Sequence, residues 1–453
     1  MNTASETKFP EIEVTTEFKV ALDIITEGAP FVFITGRAGT GKSTFTDLLK
    51  KQLQSYAIVA PTGVAALNVG GQTIHSFFRL APGPMDSSKI KRVHNRKAYK
   101  ALRTLIIDEI SMVRADLLDA IDGMLRLNGP TSTRPFGGVQ IIAIGDLYQL
   151  PPIISKSDEQ FFTEHEYQSP FFFSAKALKE VPLKTVEFSK VFRQTETSFI
   201  SLLNNIREGQ YLEHTLPVLN ERVMPLNANS FNGIVLSGTN DRAARINSQK
   251  LAEIPTPLRS YSAQVSGEFR VDLTKLPAPF ELQLKCGAQV MFLKNDRSRR
   301  WVNGSLGRVT ELGPDYVEVE LAESTCAERV RVETDKWENF KFEFSEKENA
   351  VVATNVGSYN QIPLSLAWAV TIHKSQGKTF DRVHLDLGRG AFAEGQVYVG
   401  LSRCRTLEGV TLERAIRKED IYLNLDVINA MPLLLQNPSA LSGRAEQIRL
   451  VLD

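Results

Sequence analysis

Residues 36–43 read Gly-Arg-Ala-Gly-Thr-Gly-Lys-Ser, an instance of G-x-x-x-x-G-K-[ST]. This string restricts the fold more than anything else in the chain. It works only as a tight turn between a buried strand and a helix. Its backbone N–H groups must converge on a phosphate while the helix N-terminus faces the same anion. The flanks agree: residues 31–35 are a short apolar run, and 43–54 have helical spacing with Phe45, Leu48 and Leu49 on one side. Further buried-strand candidates stand at 57–60, 105–107 and 139–144. Short apolar strands separated by helical stretches indicate a parallel sheet covered on both faces. Gly36, Ala38, Gly39, Thr40, Gly41, Lys42, Ser43 and Thr44 are therefore expected around a nucleotide, with Lys42 on the β- and γ-phosphates and Ser43 on Mg²⁺.

Other segments supply matching chemistry. The run Leu105-Ile106-Ile107 ends in Asp108-Glu109, and acids at the carboxyl end of a parallel strand lie beside the ligand. Asp108 is expected in the Mg²⁺ shell and Glu109 on the attacking water. A second apolar strand ends in Gly145-Asp146-Leu147-Tyr148-Gln149, where Gln149 could sense the γ-phosphate or orient the water. Three later segments are 191–194 with Arg193, 371–377 ending in Gly377, and 397–403 ending in Arg403. Isolated arginines usually mean surface charge, but across a nucleotide cleft they can act as arginine fingers. Gly377 is counted with the nucleotide contacts.

Bulk properties narrow the class. A chain of 453 residues predicts several domains, and 42% hydrophobic with 23% charged residues is globular. No apolar run reaches membrane-spanning length, and the polar, acidic start resembles neither a signal nor a transit peptide. Cys286, Cys326 and Cys404 are far apart, so neither a disulfide framework nor a structural zinc site is expected, and a reducing, cytoplasmic location is. His75 and His373 lack Cys or His neighbours and are not read as metal ligands.

Net charge is +1, so a polyanion partner would need a local track. One candidate is Thr62, Gly63 and Val64 with His75 and Phe77; small and hydroxyl residues can meet phosphates, and Phe77 could stack bases unless it belongs to the core. Residues 89–103 hold seven Lys or Arg and no acid, read as an insertion leading into a basic helix. After residue 190 a second αβ region begins, with strand candidates at 233–236 and 367–372. Between them, over 299–362, alternating β-branched residues predict an inserted antiparallel unit.

The order and wording of these motifs resemble the Pif (petite integration frequency) family of superfamily 1 DNA helicases. The segments GRAGTGKS, APTGVAALNVGGQTIHSFF, LIIDEISMV, IAIGDLYQLPPI, VFRQTETSFISLLNNIREG, GAQVMFLKND with WVNGSLG, LAWAVTIHKSQGKTFDRV and VYVGLSRCRTLEGV carry the likeness from residue 31 to 410. Residues 111–127 are similar to the stretch that marks this family. The resemblance implies two RecA-like domains, over 1–190 and 191–435, with a tail over 436–453. It implies a wedge insertion near 79–97 in the first and an SH3-like insertion near 299–362 in the second. It places Lys42, Ser43, Asp108, Glu109, Gln149, Arg193 and Arg403 around ATP, and Thr62, Gly63, His75, Thr371, His373 and Lys374 along the strand. It further implies 5′-to-3′ unwinding of tailed or forked DNA, often G-quadruplexes, by a monomer or by a dimer on DNA. One departure stands out. The Gln that usually reads adenine ahead of the P-loop is missing, and Thr15-Thr16-Glu17-Phe18 takes its place. Alternatives from the residues alone are a RecD-like or phage Dda-like helicase, an RNA substrate, or a nucleotide switch that does not translocate.

Overall fold

The structure is a computed structural model that describes residues 14–436 except 226–230, 232, 270–275, 297, 299 and 323–327. The first 188 residues supply six strands: β1 (Phe31–Gly36), β2 (Tyr56–Ala60), β3 (Gln72–Thr73), β4 (Thr104–Ile107), β5 (Gln140–Ile144) and β6 (Leu183–Phe188). They form one sheet in the order β3-β2-β4-β5-β1-β6, and every pairing is parallel. Every residue of β1 and β4 is buried. Burial on both faces is why these strands appear in the sequence as unbroken apolar runs rather than alternations. The intervening helices are α1 (Thr16–Thr26), α2 (Lys42–Gln52), α3 (Gly63–Asn68), α4 (Ile74–Phe78), α5 (Lys97–Ala101), α6 (Ala115–Asn128) and α7 (Lys156–Glu164).

The second half opens with α8 (Thr197–Glu208) and α9 (Leu212–Asn220), then β7 (Ile234–Ser237) and α10 (Asn240–Glu253). Ten strands follow before its sheet resumes: β8 (Arg259–Ser262), β9 (Gln264–Gly267), β10 (Glu281–Leu284), β11 (Gln289–Phe292), β12 (Leu306–Leu312), β13 (Tyr316–Leu321), β14 (Arg329–Glu333), β15 (Asp335–Ser345), β16 (Ala350–Gln361) and β17 (Leu364–Leu366). The sheet then continues through β18 (Ala369–Thr371), β19 (Val383–Asp386) and β20 (Val410–Leu412), with α11 (Gln396–Leu401) between the last two and α12 (Leu425–Gln436) after them. Its order is β18-β7-β19-β20, again all parallel. The chain thus carries two RecA-like domains with a β unit inserted in the second.

The inserted strands begin at Arg259, well ahead of residue 299, where the sequence texture changes. The early strands give little signal because β9 is wholly exposed and β8 buries one residue. Five of the ten strands make an antiparallel sheet, β14-β13-β12-β11-β17, in which Val317 and Val319 alternate inward. The long hairpin β15–β16 leaves this sheet and returns to the first domain. Phe342 and Val351 join that domain's core; Phe342 N–H donates to Gln72 Oε1 at 3.0 Å and Val351 N–H donates to Ser55 Oγ at 3.0 Å. Val427, Met431 and Leu434 of α12 pack into the same core, so α12 leaves the domain its sequence position suggests.

Residues 79–96 hold only one 3₁₀ turn, Ser87–Lys89, and the expected basic helix is reduced to the five residues of α5. The segment is irregular but held. Met85 N–H donates to Asp116 Oδ2 at 2.6 Å and Val93 N–H donates to Asn128 Oδ1 at 2.9 Å, both acceptors lying on α6. Gly123 lets the segment approach, since a Cβ there would lie 3.1 Å from Ile90 Cδ1. Residues 111–127, which mark the resemblance, therefore form a platform for the insertion. Cys286 and Cys404 are free thiols, and Cys326, like residues 437–453, lies outside the described residues. No helix among the described residues is long and apolar enough to cross a membrane.

Asn128 is fully buried and tests this platform. Asn128→Ala leaves Val93 N–H without its acceptor and should cost about 1–3 kcal/mol. Urea unfolding monitored by circular dichroism measures it, and an unchanged midpoint would show that the contact contributes nothing.

Candidate nucleotide cleft and nucleic-acid face

β1 ends at Gly36, where φ is +150° and a Cβ would sit 2.6 Å from Phe188 O, so no side chain fits. The loop then turns through Gly41 at φ +86° into α2. Lys42 Nζ folds back and donates to Gly36 O at 2.6 Å and to Arg37 O at 3.0 Å. Burial lowers its pKa, opposed by Asp146 and Glu109. Over this loop lies a cavity of about 580 Å³, lined by Ala38, Gly39, Thr40, Gly41, Lys42, Ser43, Thr44, Asp108, Glu109, Gln149, Arg193, Gly377 and Arg403. Every residue expected around ATP lines this one space except Gly36, which supplies the carbonyl under Lys42.

Asp108 and Glu109 stand where β4 ends. Glu109 is held at φ +50°, a left-handed conformation costly for a residue with a Cβ, and this turn aims its carboxyl at the cavity. Burial and then the adjacent Asp108 raise Glu109 to about 7; burial raises Asp108 to about 6, against the pull of Lys42. A carboxyl raised toward neutrality by its surroundings is suited to take up a proton.

The far wall comes from the second half. Arg403, 1% exposed, donates to Val399 O and Ser402 Oγ, each at 2.8 Å, and more loosely to Ser375 O. Among the described residues its hydrogen bonds all go to neutral oxygens, and burial, then Arg193, lowers its pKa. Such a desolvated cation favours an incoming anion. Arg193 lies on the connector between the domains rather than on the far sheet. Its Cβ presses against Gly39, Phe192 N–H donates to Gly39 O at 2.8 Å, and burial lowers Arg193 to about 10.

Several cleft residues were not singled out by the sequence. Gln376 Nε2 donates to Gln149 Oε1 at 3.1 Å and to Glu109 Oε2 at 3.3 Å, tying the second domain to the hydrolytic carboxyl. Asp146, Arg207 and Tyr398 form a buried cluster behind it. An acid at the end of β5 was a readable signal for Asp146; Arg207, one charge in the apolar face of α8, offered none. Phe18 and Phe192 flank the loop, 3.1 and 3.7 Å from where a Gly41 Cβ would lie. Phe192 is 43% exposed on the cavity wall. It is the aromatic surface available where the usual adenine-reading Gln is missing.

The expected nucleic-acid residues divide. Thr62 caps α3 by accepting from Ala65 N–H, leaving Gly63 and an exposed Val64 at the surface of its first turn. His75 is half-buried on α4, and burial lowers its pKa. Phe77 does not face bases: it is 6% exposed and packs edge-on against Phe78, Tyr99 and Phe342 in the core. Thr371 is also buried; its Oγ1 accepts from Lys374 N–H at 3.2 Å and shapes the turn that exposes His373 and Lys374.

A P-loop sheet whose nucleotide cavity is walled by arginines and a glutamine from beyond the sheet defines a P-loop protein with two RecA-like domains. The family described as PIF1-like helicase matches residues 13–216, and the Pif1 DNA helicase 2B domain matches 270–312. An ATP-dependent DNA helicase Pif1 from Bdellovibrio bacteriovorus is 35% identical over 414 residues, covering 89% of this chain and 88% of its own length. One from Xenopus laevis is 33% identical over 446 residues, covering 94% of this chain; the chain spans only 64% of that relative. Among solved structures, Bacteroides Pif1 with ADP-AlF4 is 36% identical, with a TM-score of 0.85 over 93% of this chain and 97% of that one; its complex with single-stranded DNA gives 0.65 over the same shares. The chain belongs to the Pif1 helicase family.

Two outcomes test the cleft. Lys42→Ala should abolish nucleotide turnover, whereas Glu109→Gln should bind nucleotide and fail to hydrolyse it; near-normal turnover in Glu109→Gln would remove that residue from the chemistry. Phe192→Ala should weaken ATP binding by roughly 1–3 kcal/mol, the size of one base-stacking contact. Titration with a fluorescent ATP analogue measures it, and unchanged affinity would place the base elsewhere.

Proposed function

We propose that this chain is an ATP-dependent DNA helicase that moves 5′-to-3′ on single-stranded DNA and opens tailed or forked duplexes, and G-quadruplexes. The observation that carries the reading is the cleft itself. Hydrolytic carboxyls from the first domain and Gln376 and Arg403 from the second meet at one cavity, so the chemistry needs both domains together. A nucleotide switch would need no second RecA-like domain. The Bacteroides relative's structures, one with ADP-AlF4 and others with single-stranded DNA or forked duplex, support the substrates.

On ATP binding, Lys42 exchanges the carbonyls of Gly36 and Arg37 for the β- and γ-phosphates. Glu109 takes a proton from the attacking water, and Gln149 orients it. Arg193 and Arg403 neutralise charge developing on the γ-phosphate, each worth roughly 10³-fold or more. Ser43 and Asp108 would hold Mg²⁺, which supplies electrostatic stabilisation of the phosphates when bound. Among the described residues no three His, Cys, Asp or Glu gather at one metal site; a hydroxyl and a carboxylate fit an ion that shares its shell with phosphates and water.

Gly63, Val64 and His75 of the first domain and His373 and Lys374 of the second offer alternating grips on a strand lying across both. Thr62 and Thr371 act through the turns they cap. Residues 79–97, seated on α6, are the wedge, and the β unit from residue 259 is the counterpart of the SH3-like insertion. The working form is a monomer, with a dimer on DNA as the second arrangement, in the cytoplasm.

Polarity of the tail tests this reading. Duplexes differing only in a 5′ or 3′ single-stranded tail should be unwound from the 5′ tail alone, with ATPase stimulated by single-stranded DNA. Unwinding from the 3′ tail alone rejects the direction. No stimulation by any strand would leave only the switch.

A further inference from the structure

Asp146 stands where β5 ends and is 1% exposed. Its partners cross from the second half of the chain. Arg207 of α8 donates from Nη2 to Oδ1 at 3.1 Å. Tyr398 of α11 places its hydroxyl 3.5 Å from Oδ2, and that hydroxyl accepts from Ala38 N–H in the P-loop at 3.0 Å. The Arg207 guanidinium lies 4.0 Å from the centre of the Tyr148 ring, so it is stacked as well as paired. On its other side Asp146 Oδ2 accepts from Gln149 Nε2 at 3.2 Å, and Gln149 Oε1 accepts from Gln376, which also donates to Glu109. One hydrogen-bonded line runs from α8 to the hydrolytic carboxyl.

The chemistry of the line gives it a direction. A glutamine amide has a donor end and an acceptor end of nearly the same shape, and its neighbours decide which faces where. An ionised carboxylate only accepts. Asp146 therefore holds the Nε2 end of Gln149 and turns Oε1 toward the cleft. Asp146 can stay ionised there only while a cation answers it, and that cation, Arg207, arrives with the second domain.

We propose that Arg207 and Asp146 are positioning residues that fix the Gln149 amide when the two domains meet, so hydrolysis is gated by closure of the cleft and not by ATP binding alone. The proposal rests on Gln149 facing the γ-phosphate and its water.

The experiment compares single-turnover ATP hydrolysis on single-stranded DNA, and equilibrium ATP affinity, for Gln149→Ala, Arg207→Met, Arg207→Lys and the pair Arg207→Met/Gln149→Ala. Arg207→Met should slow hydrolysis about tenfold or more while ATP affinity stays within about threefold, since it misplaces a group and removes no phosphate contact. Arg207→Lys should recover part of the rate. In the Gln149→Ala background, Arg207→Met should add less than about twofold, because the residue it positions is gone. An equal loss in both backgrounds, or none in the native one, overturns the proposal and leaves Gln149's role intact. Wild-type hydrolysis by Gln149→Ala overturns both. If Arg207→Met does not fold, because it strands a buried carboxylate, Asp146→Asn/Arg207→Met removes both charges and is judged by the same criterion.

Discussion

Ionised groups leave water only where opposite charges or dipoles replace it, and the cleft depends on this constraint. Lys42, Arg193, Arg207 and Arg403 gather there with Asp108, Glu109 and Asp146. Burial disfavours the charged form of each. Asp146 nonetheless stays below the ordinary carboxylate range because Arg207 and Lys42 outweigh its burial, and Arg207 is kept charged in return. Asp108 and Glu109 lack such a partner and are pushed toward neutrality, so the remaining cations are in surplus. A polyphosphate supplies the missing negative charge. Nucleotide binding and the approach of the second domain are therefore one electrostatic event, since the arginine and glutamine side chains that meet the phosphates travel with that domain.

The rest of the architecture follows from where that domain is tethered. The connector carrying Phe192 and Arg193 lies directly on Gly39, so it cannot move independently of the P-loop. The hairpin β15–β16 and α12 return to the first domain and insert apolar side chains into its core, far along the chain from the cleft. The β unit's contact is mixed: Phe342 is buried, but two backbone N–H groups are satisfied by Gln72 and Ser55, and Lys97 pairs with Glu346 at an exposed edge. Exposed ion pairs contribute little, so the apolar contact and the satisfied backbone groups hold this end.

Sequence reading reached the site further than its surroundings. The P-loop, Asp108-Glu109, Gln149 and Arg403 sit at strand ends or helix starts, where local pattern and chemistry coincide, and the fold brings them to one cavity. Phe77 shows where local pattern fails. An aromatic beside a hydroxyl-rich turn can stack on a base or on its own core, and only the packing of Tyr99 and Phe342 around it decides. Gln376 lay inside a recognised segment, yet its reach to Glu109 spans 267 positions and leaves no local trace.

By itself the sequence determined that a phosphate-binding turn joins a buried strand to a helix, that parallel sheets follow in both halves, and that a β-rich unit interrupts the second. These features rest on period, burial and turn chemistry within a few residues of one another. The tertiary structure alone decided that α12 and the β15–β16 hairpin belong to the first domain's core, that the expected basic helix is an irregular segment seated on α6, and that Asp146 is answered by Arg207. Each depends on a partner distant in the chain. Burial, which sets the energy of an apolar face or a charge, is a property of the assembled fold and not of any local stretch of it.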